Sequence, residues 1–401
     1  MAASVSALVN PPLLVWAREE SGYEPEWVAK KLSVKPERLL AWEQGECKPT
    51  VRQARYLAKL YQRPFGVFFF PQPPVLPPLA GEYRRLPGVE PGVESPELRL
   101  ALRVMSQRRE ITMGLLEELG AAITEFRTTA HLSEGAPEVG VRLRALLGVT
   151  VQEQLGWSSE WEAWRQWRGA VEAAGVLVFQ FPKVPLSQVR GVSLLKFPLP
   201  VIGLNSKEDA PGARIFTLFH ELVHIALAAG QDEQSAIKET RSDTAWSKVE
   251  RFAEEAASAA LIPGEVFRTF VGCMSVARDA WDVALVRTLA AKFRVTPLAM
   301  ATRLRSAGTL TWRGYERWKS AWGEYVAALA PRSGGFASPV DKTLGRSGRP
   351  FAQVVIEALD SNRITAVQAS RYLDLRFHHF EKLRSELRLG ARSGSTADDG
   401  E

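Results

Sequence analysis

The sequence predicts an α+β protein, mostly helical, with a small three-stranded sheet in a central domain, an all-α domain ahead of it and a small helical module behind it. Three observations carry that prediction. Apolar residues recur at three-to-four spacing along most of the chain, the period of helices with one buried face. Three short apolar runs between 175 and 205 break that period and read as strands. Two stretches rich in Pro, Gly and Ser, 71–96 and 331–350, interrupt the pattern and read as linkers. A chain of 401 residues, 46% apolar and 24% charged, has ordinary globular composition and length for roughly two to four domains.

The first 70 residues carry Leu13, Leu14, Trp16 and Ala17, then Trp27, Val28 and Leu32, then Leu39, Leu40 and Trp42, then Leu57, Leu60 and Tyr61, which predicts four or five short helices. Gly22, Ser33 and Gly45 fall where those helices would stop or start, and Pro49 follows Gly45 as it would after a helix end. Eight prolines in 71–96 exclude helix or inner strand there. Residues 97–330 form the expected central domain. It opens with helices to about 175, where Trp157, Trp161, Trp164 and Trp167 share a face that reads as core or interdomain packing. The runs 175–181, 191–196 and 200–205, bounded by Pro, Gly or Asn, are the expected strands. Helical windows follow at 213–229, 248–262, 281–294 and 297–305. Past the 331–350 linker, patterns at 351–360 and 365–389 predict a helical module over 351–389, with a disordered tail at 390–401.

Two cysteines, Cys47 and Cys273, exclude a disulfide framework. Arg18 is the first cation, so no charged region precedes the early apolar stretch, and a cytoplasmic location with no membrane partner is expected. The most apolar window, Phe216 to Gly230, is broken by His220, Glu221 and His224 and falls short of an uninterrupted span. The net charge of +6 permits a nucleic-acid partner without requiring one.

The strongest chemical signal is His220-Glu-Leu-Val-His224. Histidines at i and i+4 of a helix project two imidazoles from one face toward a single cation. Glu221, about 100° round the helix, reaches the remaining coordination position and is the candidate general base for water that zinc acidifies. Apolar flanks, Phe216-Thr-Leu-Phe219 and Ile225-Ala-Leu-Ala228, place the motif in a core. A third protein ligand must come from elsewhere. On the next predicted helix Glu250 and Glu254 lie one turn apart among small residues, so Glu250 is the candidate ligand and Glu254 the candidate group orienting a histidine, or else a solvated residue. His131, in a polar loop, and His378-His379, beyond a linker, are poorer candidates.

The run Pro200-Val-Ile-Gly-Leu-Asn205, then Arg214-Ile-Phe-Thr-Leu-Phe-His-Glu-Leu-Val-His224, then Glu250-Arg-Phe-Ala253 ending in Ala260-Leu-Ile-Pro263, resembles the ImmA/IrrE-type zinc metallopeptidases over roughly 100–305. The resemblance implies a zincin-like metallopeptidase domain with His220, His224 and Glu250 as zinc ligands, manganese being a second candidate ion, and Glu221 as general base. Glu254 stands where the family usually has Asn or Asp, and Ala256 where it has Phe. The implied activity is zinc-dependent endoproteolysis of a helix-turn-helix transcriptional repressor, an Xre-type one, which derepresses stress, phage or mobile-element genes. Arg214 is either an oxyanion-stabilising group or a plain surface arginine, and an edge of the 176–205 sheet is the candidate track for an extended substrate.

Ser33-Val-Lys-Pro-Glu-Arg-Leu-Leu-Ala-Trp-Glu-Gln-Gly45, followed by Lys48-Pro-Thr50, resembles an Xre-type helix-turn-helix domain. If it reads double-stranded DNA, Lys35 and Arg38 are the contacts; the other reading is a scaffold or protein-docking module. Arg363 to Leu375 repeats the same rhythm at the far end of the chain. The rival function is a DNA-binding transcriptional regulator or antitoxin whose peptidase-like domain is not catalytic.

Overall fold

The computed structural model describes residues 5–75, 94–230, 243–329 and 337–392. Among these, 5–75 and 94–104 form one compact unit, and Met105 onward forms the other.

In the first unit, α1 (Pro11–Ser21), α2 (Pro25–Leu32), α3 (Pro36–Glu43) and α4 (Val51–Leu60) are followed by a 3-10 turn, Phe65–Phe69, and by the start of α5 (Pro96–Leu119). Proline opens α1, α2 and α3, where its fixed φ suits a helix and its missing N–H forfeits no bond. Left-handed Gly22 (φ 72°) and Ser33 (φ 56°) close α1 and α2. Thr50 and Gln53 cap α4 reciprocally. Leu13, Leu14, Val28, Leu39, Trp42 and Leu57 form the core, as the helical spacing predicts. An ion pair invisible to that spacing joins α1 to α3: Arg18 Nε donates to Glu43 Oε1 at 2.8 Å and its Nη2 to Oε2 at 3.1 Å, a partly buried fork. Most of the expected linker, 76–93, lies outside the described residues.

The second unit adds α6 (Ala136–Leu146), α7 (Val151–Gly156), α8 (Glu160–Ala173), strands β1 (Leu177–Phe181), β2 (Gly191–Leu194) and β3 (Val201–Asn205), then α9 (Pro211–Ala229), α10 (Asp243–Leu261), α11 (Gly264–Met274), α12 (Val283–Phe293), α13 (Pro297–Ser306) and α14 (Trp312–Ala327). The described residues are thus mostly helical with one small mixed sheet, the α+β class expected. Strand order is β1-β3-β2. β1 runs parallel to β3 (Leu177↔Val201 to Phe181↔Asn205), and β2 antiparallel to it (Gly191↔Leu204 to Leu194↔Val201). Every residue of β3 is buried, because both faces of the sheet are covered. Gly203 meets α5 on one face, where a Cβ would lie 2.2 Å from Met105 Sδ; Gly191 meets α9 on the other, where a Cβ would lie 2.5 Å from Thr217 Cγ2. The loop before β2 is pinned by buried Asn205, whose Nδ2 donates to the carbonyls of Val184 (3.0 Å) and Val189 (2.8 Å).

The tryptophan stripe is corrected in two places. Trp157 precedes α8, which begins after the Ser159 cap, and Trp161 is 48% exposed. Trp157, Trp164 and Trp167 are buried, with Trp167 edge-on to Trp157 (5.4 Å) and to Phe219 of α9 (4.8 Å). α9 is apolar and long enough for a membrane span by composition, but its apolar side chains, Ile215, Leu218, Phe219, Leu222, Val223 and Ile225 among them, are the centre of this core.

The end of α10 is held by a buried guanidinium. Arg144 Nη1 donates to Gln154 Oε1 (2.7 Å) and to the Ala260 carbonyl (2.9 Å), while Gln154 Nε2 donates to the carbonyls of Leu261 (2.9 Å) and Phe293 (2.7 Å). The guanidinium lies over Trp167 at 5.2 Å, and burial pulls its pKa down to about 10. Arg144→Leu strips the donor from two buried acceptors at once, so a destabilisation of about 2–5 kcal/mol is expected in chemical denaturation. An unchanged midpoint would show that water replaces the arginine there.

The chain's last helices overturn the expected separate module. α15 (Pro339–Ser347) occupies the stretch expected to be a linker and lies against β1. It is followed by α16 (Arg349–Asp360), α17 (Ala366–Leu373), a 3-10 turn Phe377–His379, and α18 (Phe380–Arg392). The expected single helical stretch 365–389 breaks at left-handed Asp374 (φ 47°). Phe351 packs edge-on to Phe179 of β1 at 6.0 Å, and all of these helices belong to the second unit. Polar spacing misleads here because the attachment is made by a few buried side chains of α15 and α16. α18 carries helix to Arg392, past the expected start of the tail at 390, and 393–401 lie outside the described residues.

Candidate metal centre

α9 is buried almost all round because it crosses the middle of the core, and that burial orients the motif it carries. α10 packs on it and on α6, with its small residues Ala253, Ala256, Ala257 and Ala260 buried in the core. α6 comes so close that a Cβ on Gly140 would lie 2.3 Å from the Ala256 carbonyl oxygen. This packing brings Glu250 to the two histidines. The Nε2 atoms of His220 and His224 are 3.2 Å apart. Glu250 Oε2 lies 3.4 Å from His220 Nε2, and its Oε1 lies 3.7 Å from His224 Nε2. Among the described residues these three form a group able to hold a metal ion.

The triangle has the size of a coordination face. Ligands about 2.0–2.1 Å from a tetrahedral zinc lie about 3.3 Å from one another. His224 is fully buried, whereas the side chains of His220 and Glu250 are 13% and 19% exposed, so the site opens to solvent on the side of those two.

Glu221 is 2% exposed and faces the sheet. Ser193 Oγ of β2 donates to Glu221 Oε2 at 2.6 Å. On the same strand face, a Cβ added to Gly191 would come within 3.0 Å of both Glu221 Cγ and Oε1. β2 therefore serves Glu221 twice, with a hydroxyl that holds one oxygen and a missing side chain that leaves room for the other. Neither residue carries a signal in the sequence. Both sit on a strand far from the motif, and only the packing of β2 on α9 identifies them.

Glu254 is corrected. It is exposed and makes no hydrogen bond to either histidine among the described residues, because one turn along α10 from Glu250 the helix has already moved past them. Arg214 is occupied elsewhere: it donates to the carbonyls of Glu208 and Ser206 and lies over Trp161 at 5.3 Å, so it ties down the start of α9. Lys35 occupies the position before the first turn of α3 without a side-chain cap bond and Arg38 lies in that turn, both exposed. His131, His378 and His379 take no part in the cluster.

Two imidazoles one helical turn apart, a carboxylate from the adjacent helix and a buried glutamate between sheet and helix make up a metallopeptidase-like domain. Residues 171–305 match the Peptidase_M78 family, described as an IrrE N-terminal-like domain, and that span holds the sheet, the motif and Glu250. No curated protein and no solved structure matches the chain.

Proposed function

We propose that the chain is a metal-dependent endopeptidase, with zinc as the first candidate ion and manganese the second, that cleaves a helix-turn-helix transcriptional repressor. The observation that carries this reading is the set of three donor groups, two imidazoles and one carboxylate, separated by 3.2, 3.4 and 3.7 Å, with Glu221 next to His220 on α9. His220, His224 and Glu250 would hold the ion. When bound, it supplies a Lewis acid that polarises a peptide carbonyl and acidifies water. Glu221 would accept the proton of the attacking water and return it to the leaving amine, with Ser193 donating to its Oε2.

β2 supports the approach of an extended substrate. It is bonded to β3 alone among the described strands. Asn205 N donates to Arg190 O at 2.8 Å, which by the antiparallel alternation turns the backbone groups of Gly191 and Ser193 away from β3, toward a peptide added at that edge. The repressor as substrate follows from the family resemblance, and a role for Lys35 and Arg38 on DNA from the helix-turn-helix resemblance.

Metal binding is tested directly. Zinc at about 100 times its dissociation constant stabilises the folded chain by about 2.7 kcal/mol, a rise of several degrees in melting temperature that chelators reverse. His224→Ala and Glu250→Ala each abolish that rise and the stoichiometric metal seen by elemental analysis. A parent protein that takes up neither zinc nor manganese overturns the reading. Incubation of the metal-loaded protein with Xre-type repressors then tests the substrate, and intact repressors would remove it.

A further inference from the structure

We propose that α17, α18 and the turn between them form a docking surface for double-stranded DNA, separate from the metal centre. α16, α17 and α18 pack as a three-helix group around Val355, Ile356, Ala369, Leu373, Phe380 and Leu383, all buried. α17 has eight residues, left-handed Asp374 turns the chain, and the 3-10 turn at Phe377 leads straight into α18. A short helix, a turn and a longer helix packed on a third follow the order of a helix-turn-helix, in which the second helix enters the major groove and the first crosses the backbone. With 13 residues, α18 is about 20 Å long.

Cations outnumber acids on this surface. Arg363, Arg371, Arg376, His378, Lys382 and Arg388 are directed outward, and none of the five Arg and Lys residues is in an ion pair among the described residues. Of the neighbouring acids, Asp360 and Glu381 pair with Arg384 and Asp374 pairs with Arg346 at 2.9 Å, while Glu386 stands one turn beyond Lys382 on α18. The His379 pKa is held below the ordinary imidazole value, first by desolvation and then by the adjacent His378, Arg376 and Lys382. Phe377, 71% exposed beside these cations, adds an apolar contact of the kind that meets sugars and thymine methyls. An excess of cations along a groove-sized helix and the turn before it complements a phosphate backbone, and a helix of that size suits the major groove of duplex DNA as the occupant.

The test is fluorescence anisotropy of a labelled mixed-sequence duplex of about 30 base pairs, titrated with the full chain at several salt concentrations. The triple variant Arg371→Gln, Arg376→Gln, Lys382→Gln is expected to bind at least about tenfold more weakly at about 100 mM salt. Its plot of log affinity against log salt should be shallower by about 2.7, or about 0.9 for each of the three phosphates no longer neutralised. All three substituted side chains point outward, so the melting temperature should hold; should it fall, Arg376→Glu alone must still weaken binding. The proposal is overturned if the triple variant binds like the parent with an equal slope, if the parent binds no duplex at low salt, or if an acidic polypeptide or an RNA duplex competes as well as DNA.

Discussion

Glu221→Gln is expected to keep the metal and lose the chemistry, with peptide hydrolysis falling about 100- to 10,000-fold while elemental analysis still finds the ion. The substitution preserves volume in a site where the residue is 2% exposed, and the amide oxygen can still accept the Ser193 hydroxyl. What it removes is the basic oxygen that takes a proton from water. Ser193→Ala should have a smaller effect, because the carboxylate survives and only its orientation relaxes; one hydrogen bond to a charged group contributes about 1.5–3 kcal/mol. Gly191→Ala acts from the opposite direction. Its Cβ would come 2.5 Å from Thr217 Cγ2 and 3.0 Å from Glu221 Oε1, so the strand must retreat or the carboxylate must turn. The three variants therefore rank Glu221→Gln, then Gly191→Ala and Ser193→Ala, in lost turnover. A Glu221→Gln protein that cleaves a repressor at the parent's rate would remove Glu221 from the reaction.

How much of this site is legible in the sequence follows from the range of each interaction. The two histidines and Glu221 declare themselves within one helical turn, and the apolar residues around them say that the turn is buried. Glu250 is legible because α10 shows small residues on one face, the mark of a helix that approaches its neighbour closely. The same logic puts Glu254 beside the histidines, and it fails because one turn of helix advances about 5.4 Å and carries that side chain into solvent. Ser193 and Gly191 have no local signature, since their meaning lies in which side chain of α9 they face. Three strands are recognisable from apolar runs, whereas their order β1-β3-β2 is a matter of which strand pairs with which and leaves no trace in any single run. Arg18 with Glu43, and Arg144 with Gln154, look like solvated charges in sequence because their partners lie 25 and 10 residues away.

The same long-range chemistry sets the second large expected effect, in the attachment of the chain's last helices. Arg168 of α8 donates to Glu172 Oε1 (2.9 Å), to the Val178 carbonyl of β1 (2.6 Å) and to the Gly345 carbonyl of α15 (3.0 Å). Gly348, at φ 76°, admits no side chain there: a Cβ would lie 2.8 Å from Glu172 Oε1. One guanidinium thus joins a helix, a strand and the helix that sequence spacing assigns to a linker. Arg168→Met is expected to destabilise the second unit by about 3–5 kcal/mol, because it strands a buried carboxyl and two carbonyls together. Glu172→Gln should do far less, since it removes the buried charge and keeps an acceptor. The pH dependence separates the two causes. Burial raises the Glu172 pKa, more than the neighbouring arginines lower it, so protonation favours the folded state, and stability from this group is present at low pH and lost as pH rises through its folded value. Without Arg168 that raising is stronger, so the deficit of Arg168→Met measured by denaturant unfolding should shrink between about pH 8 and about pH 5. A deficit that is constant across that range would mean that the missing bonds to Val178 and Gly345, rather than the stranded carboxyl, account for the instability.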